Sequence, residues 1–151
     1  MAQTTGILNG TDLVIFIHNG GSAGTVADYT AIGHLTDGSI SPSKNTRDIS
    51  SKSSAGNSEF LPAAFSWTAS GSGLYSHDAT YGYSQLNTLF LAGTTVTLMF
   101  GDPTDAANIV HKGTAIITSL PLTAPTEDNA TFSVEFQGTG ALSYGAASGL
   151  F

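Results

Sequence analysis

Apolar and polar residues alternate along much of this chain, and the alternation predicts mostly strands. The clearest case is Ala130 to Gln137: Phe132, Val134 and Phe136 face one way, while Thr131, Ser133, Glu135 and Gln137 face the other. Thr94 to Phe100 repeats the pattern, with Val96, Leu98 and Phe100 opposed to Thr95, Thr97 and Met99. Phe65 to Ser70 alternates too, continues to Tyr75, and carries Gly71 and Gly73 as sites for a bend or bulge. Leu13 to Ile17 is a continuous apolar run of strand length, closed by Asn19-Gly20-Gly21; Val26 to Leu35 reads as a weaker second strand. Gly101-Asp102-Pro103 turns the chain, and Lys112 to Ser119 brings it back.

One stretch follows the helical period. Asp78 is placed to cap a helix running to about Ala92, with Gly93 as its stop. Tyr83, Leu86 and Phe90, with Leu89 beside them, form its apolar stripe. Thr36 to Pro62 has neither period. Rich in Ser, Asn, Gly and Lys, it reads as a long loop within one domain spanning residues 1–151, and as too polar to be ordered without a partner. The predicted class is mainly β, a sandwich or partly closed barrel with one flanking helix. Phe65, Trp67, Leu86, Phe90, Phe132, Val134 and Phe136 are the expected core.

Charge changes the picture. Asp, Glu, Lys and Arg make up 10% of the residues, against roughly 25% in ordinary soluble proteins. Ser and Thr fill about a quarter of the chain. So little surface charge offers weak repulsion between copies, and self-association is the expectation. A net charge of −7 with four Lys and Arg residues argues against nucleic-acid binding by counterion release. The absence of cysteine excludes a disulfide framework and a thiolate metal site. Neither a secretory leader nor an apolar run of the roughly 20 residues needed to span a bilayer is visible.

Candidate chemistry is sparse. Ser76-His77-Asp78 has the letters of a hydrolase triad, but neighbours on an extended chain point apart, and a turn into a helix cap explains them better. His18, His34, His77 and His111 have no ligand spacing, so no zinc site is expected. Asp102, Asp105, Glu127 and Asp128 lack the spacing of a calcium loop and read as turn residues. Gly71-Ser72-Gly73 lacks the rest of a phosphate-cradling loop, and the glycosylation patterns at Asn9 and Asn129 mean little without a leader. No spaced acid–base pair supports an enzyme, and no cofactor is expected. Lys44, Arg47 and Lys52 place three of the four cations in the long polar segment. Docking on an acidic neighbour suits so few charges better than gripping phosphate does.

The order of these segments carries a resemblance. Ala55-Gly56-Asn57 precedes Glu59-Phe60-Leu61-Pro62, the Phe65-Ser66-Trp67 strand, Gly73-Leu74-Tyr75 and the helix with Leu86 and Phe90. The chain then closes with Gly113-Thr114-Ala115-Ile116-Ile117-Thr118-Ser119, Ala124-Pro125, Asp128-Asn129-Ala130-Thr131-Phe132-Ser133 and Gln137-Gly138-Thr139-Gly140-Ala141-Leu142. From about Leu13 to Leu142 this resembles the major tail, or tail tube, protein of long-tailed bacteriophages, whose relatives occur in gene-transfer and contractile injection particles. The closing segment is the most specific part, and the residues past Tyr144 fall outside the resemblance.

The resemblance implies a non-catalytic virion subunit that forms hexameric rings stacked into a conduit for DNA ejection. It implies assembly in the host bacterial cytoplasm. It also implies tape-measure, tail terminator and baseplate or tail-tip proteins as partners, with genomic DNA passing through unbound. On that reading Thr131, Ser133, Glu135 and Gln137 are candidates for the lumen face. Lys44, Arg47, Asp48 and Lys52 are candidates for the contact between subunits or rings. The rival from another class is a carbohydrate- or surface-binding β module decorating a capsid or tail tip, which would need an exposed aromatic platform.

Overall fold

The alternating segments fold into one sheet. A computed structural model describes residues 10–18, 25–77, 81–105 and 107–150. Its strands are β1 (Val14–His18), β2 (Thr30–Ala31), β3 (Leu35–Asp48), β4 (Phe60–Leu74), β5 (Val96–Gly101), β6 (Ile109–Ser119), β7 (Leu122–Thr123) and β8 (Thr131–Ala146). They pair antiparallel in the order β2-β1-β5-β6-β8-β4-β3, with β7 on β8. Two α-helices, α1 (Tyr83–Ala92) and the single turn α2 (Ala147–Leu150), and three short 3-10 turns at Gly10–Asp12, Val26–Asp28 and Lys52–Ser54 complete the described elements.

The sheet is open in its hydrogen bonding but curls onto itself. Ile15 on β1 reaches across to β3 and β4, where Gly38 and Gly71 leave space: a β-carbon at either would lie 3.4 Å from its Cδ1. The concave side holds the main core of Ile15, Ile17, Trp67, Ala69, Leu98, Ala115, Phe132, Val134 and Phe136. Leu86 and Leu89 of α1 close it. Each fully buried large side chain contributes about 1.5–3 kcal/mol, so this cluster dominates the stability.

The long alternation of β5 conceals a second packing surface. Val96 and Leu98 face the main core, but Met99 is also fully buried. It packs with Tyr29, Val110 and Ala147, and with Phe16 and Leu150, in a smaller cluster beneath α2. Lys112 is buried there; its Nζ donates to the Leu150 carbonyl at 2.8 Å. Residues 145–150 therefore complete β8 and seal this cluster.

Several expectations are corrected. Val26 to Leu35 is a short 3-10 turn, Val26–Asp28, and the two-residue β2 rather than one strand. The helix begins at Tyr83, where the Gly82 N–H donates to Gln85 Oε1, and it ends at Gly93 with φ 65°. Asp78, the expected cap, lies outside the described residues, as do Asn9 and Asn19-Gly20-Gly21. Phe90 is exposed, because α1 buries the Leu86–Leu89 line. Phe65 is exposed too: β4 pairs with β8 from Thr68 to Leu74, so Phe65 lies past the point where a third strand covers it. The supposed long loop at 36–62 is the larger part of the β3–β4 hairpin.

Candidate functional site

Two surfaces stand out, and the first is the convex face of the sheet. Residues directly opposite across a strand pair share a face. Ser41, Thr68, Gln137 and Ile116 therefore form one row, with Ser39, Ser70 and Glu135 forming another. Thr131 and Glu135 are exposed, and Ser133 and Gln137 half-buried, on the side opposite Phe132, Val134 and Phe136. Hydroxyls satisfy one another along the face: Ser39 Oγ and Ser70 Oγ are 2.8 Å apart, Ser43 Oγ and Ser66 Oγ 3.1 Å. Thr118 Oγ1 donates to the Glu135 carbonyl at 3.2 Å, and Gln137 Nε2 to the Trp67 carbonyl at 3.2 Å. Across β3 residues 39–43, β4 66–72, β6 114–119 and β8 131–137 there is no Lys or Arg, and Glu135 carries the sole charge.

The second surface is the arm formed by the outer halves of β3 and β4. Beyond Thr68 these strands pair only with each other among the described elements. Lys44 lies opposite Phe65, Thr46 opposite Pro62, and Asp48 opposite Phe60. β4 uses one more residue than β3 between the first two pairs, which is a bulge. The extra residue switches the alternation, so Trp67, Phe65, Pro62 and Phe60 all lie on the face shared with Pro42, Lys44, Thr46 and Asp48. An apolar ridge thus leaves the core at Trp67 and emerges into solvent, with Phe65 42% and Phe60 57% exposed.

The arm's tip is ordered by its own polar groups. Ile49 N–H donates to the Glu59 carbonyl, and Glu59 N–H to Ser50 Oγ, each at 2.9 Å. Ser54 Oγ accepts the Ser51 N–H, and Ala55 turns the chain with φ 51°. Hydrogen bonds from the Ser50 hydroxyl and N–H hold the Asp48 carboxyl below the usual carboxylate range. Lys44, Arg47 and Lys52 are exposed here, and since Lys112 is buried, they are the only exposed Lys or Arg side chains.

A groove of about 410 Å³, lined by Leu13, Phe100, Asp102, Ile109, His111 and Tyr144, opens at the end of the concave side. Tyr144 is 64% and Ile109 54% exposed, and the Tyr144 and His111 rings lie 4.6 Å apart. Asp102 accepts from Thr104 Oγ1 at 2.6 Å and Thr104 N–H at 3.0 Å, which hold its carboxyl below the ordinary range. Asn108 Nδ2 also donates to it at 3.2 Å. Burial pushes His111 down. In the sequence Glu59-Phe60-Leu61-Pro62 carries only the resemblance, and Asp102 and His111 are weighed only as metal ligands or, for Asp102, as a turn residue; neither the ridge nor the groove is foreseen as a surface. An apolar triplet inside a polar segment was the one signal for the ridge.

Reactive geometry is a poor description of these surfaces. Among the described residues no three His, Cys, Asp or Glu side chains converge as metal ligands. His77 stacks edge-on to Tyr75 at 5.0 Å, and its neighbour Asp78 lies outside the described residues. No helix among the described residues is long and apolar enough to cross a membrane.

Comparison with known proteins agrees with the architecture. Residues 7–144 match the family described as phage tail tube protein. No curated protein matches the chain. Among solved structures, the tail of an empty gene transfer agent particle, obtained by helical refinement with C6 symmetry, aligns with a TM-score of 0.77 at 25% identity. It covers 93% of this chain and 100% of that one. The SPP1 tail tube aligns with a TM-score of 0.72 at 11% identity, over 93% of this chain and 80% of that one. The anti-feeding prophage baseplate gives 0.64 at 6% identity, over 97% and 99%. The last two speak to the fold alone. Taken with the open curled sheet and its flanking helix, the family match over most of the length settles the relationship: this chain belongs to the phage tail tube protein family and is a structural subunit of a phage-like tail.

Proposed function

We propose that six copies of this chain close into a ring, that rings stack into a tube, and that the hydroxyl face lines the bore. The observation that carries the reading is the C6 symmetry of the gene transfer agent tail, which this chain matches over 93% of its length. Two features of the chain support it. A conduit must let DNA slide, and a wall without cations releases no counterions from phosphate; Thr131, Ser133, Glu135 and Gln137 provide such a wall. An exposed apolar ridge flanked by Lys44, Arg47, Asp48 and Lys52 suits a contact between copies.

On this reading the chain acts by assembly and not by catalysis. Genomic DNA and a tape-measure protein occupy the bore, and terminator and baseplate-side proteins cap the ends. Electron microscopy of the concentrated protein tests the proposal. Six-fold rings or tubes support it, and particles dispersed as monomers at every concentration contradict it.

A further inference from the structure

We propose that the C-terminal turn α2 is a latch over Lys112: closed, it keeps this cation off the DNA path, and opened, it would let the hydroxyl-bearing side of the sheet grip phosphate. The proposal rests on the bore reading and adds a control element to it.

Lys112 is the only Lys or Arg in β1, β4, β5, β6 and β8. On β6 it precedes Thr114, Ile116 and Thr118 at the two-residue period, so all four project from one side of the sheet. The cross-strand pairs agree: Lys112 lies opposite Met99, and Thr114 opposite Thr97. Its backbone is about 7 Å along the strand from that of Thr114, where the hydroxyl wall begins. A free cation so placed would hold DNA by displacing counterions from phosphate.

The turn prevents this. Lys112 is 9% exposed, its Nζ donates to the Leu150 carbonyl at 2.8 Å, and it lies 5.9 Å from the centre of the Tyr29 ring. The bond serves α2 as well, because a carbonyl at a helix end has no partner within the helix. Burial also lowers the Lys112 pKa. α2 is held at its two ends. The Ala147 N–H donates to the Asn108 carbonyl at 2.9 Å, and Leu150 packs on the cluster of Tyr29, Met99 and Val110. Ser148 and Gly149 between them are exposed. A single turn held in this way can open while the main core stays folded.

The test compares tubes of four chains: the parent, one lacking residues 147–151, that shortened chain with Lys112→Met, and full-length Glu135→Lys as the control. Each is assembled with a short DNA duplex at low salt and pelleted, and the DNA in the pellet is measured. The shortened chain should retain about threefold more DNA than the parent and lose that excess between about 50 and 200 mM salt, as one added phosphate contact per subunit requires. Lys112→Met should return it to the parent level. If Glu135→Lys retains DNA and the shortened chain does not, the latch is overturned and the bore reading stands. If Glu135→Lys retains none, the bore reading fails and takes the latch with it. Excess retention that survives Lys112→Met also overturns the latch, because the grip then comes from elsewhere.

A second readout needs only the unassembled full-length chain. Leu150→Ala removes packing that holds the turn, so an amine-reactive ester should acylate Lys112 at least about tenfold faster than in the parent, with Lys44 and Lys52 unchanged. Equal rates in the two chains contradict the latch.

Discussion

The indole of Trp67 lies flat across Gly138. A β-carbon at position 138 would fall inside the contact radius of the ring's Cε2, Cδ2 and Nε1, and one at Gly113, on the next strand, would come within 2.5 Å of Cζ2. The indole N–H is buried with no hydrogen-bond partner among the described residues. Packing alone therefore holds the ring. Two residues further, Gly140 adopts φ 79°, where β8 carries extra residues between its pairings with Thr114 and Gly113. The Gly-Thr-Gly run at 138–140 thus does two jobs, seating the indole and making the bulge.

Gly138→Ala should therefore be destabilising far beyond a surface change, by about 1–3 kcal/mol or more. At this length that corresponds to a fall in melting temperature of about 2–4 °C per kcal/mol. Trp67→Ala should cost roughly 3–5 kcal/mol. The two losses should not add: once the indole is gone, the extra methyl at 138 should cost under about 1 kcal/mol. Additive losses in a thermal denaturation cycle would mean that the ring and the glycine do not share one site.

Removal of the arm should separate folding from assembly. Lys44 and Phe65 face each other directly, so replacing residues 45–64 by Asn-Gly joins them through a two-residue hairpin turn. The deleted segment is exposed almost throughout. The melting temperature should stay within about 5 °C of the parent, since surface segments carry little of the core's burial. Sedimentation should show a folded species that no longer elongates. Tubes growing at the parent rate would remove the arm from the contact.

These assignments indicate what the sequence could and could not display. Strands with one covered face were legible, because Phe132, Val134 and Phe136 alternate against Thr131, Ser133 and Glu135. The helix stop at Gly93 was legible for its left-handed cap. β3 was not. Its outer half is wet on both faces, so Lys44, Thr46 and Asp48 leave no apolar period, and its strand conformation comes from pairing with β4. Phe65 and Phe90 were misassigned because apolarity does not reveal where the covering layer ends. The bulge opposite Asn45 decides which face Phe60 takes, and nothing local announces it. The groove gathers Leu13, Phe100, Ile109 and Tyr144 from four separate segments, which only the sheet order brings together.

His111 should make the fold acid-sensitive. Burial lowers its pKa below 6.5 in the folded chain, so between that lower value and 6.5 the unfolded chain binds more protons. Stability then rises with pH across this window and is lost as pH falls below 6.5. His111→Gln should flatten that part of the curve of urea-unfolding free energy against pH. A slope unchanged from pH 7 to 5 would show that His111 does not contribute.

A cation on the hydroxyl face should convert a slippery wall into a sticky one. Glu135→Lys leaves the core face of β8 untouched, so tubes should form with the parent's yield. They should retain DNA at low salt and release it as salt rises, since each phosphate contact steepens the salt dependence. Salt-independent passage equal to the parent's would place Glu135 away from the DNA path.

The most direct test of the central claim is protection of position 135 in assembled tubes. Glu135→Cys supplies the sole thiol of the chain, and tubes with capped ends are exposed to a bulky maleimide. The account predicts rapid labelling of the unassembled subunit and labelling at least about tenfold slower in the tube, as a bore-facing thiol requires. Labelling in capped tubes as fast as in the free subunit would put this face on the outside and contradict the account.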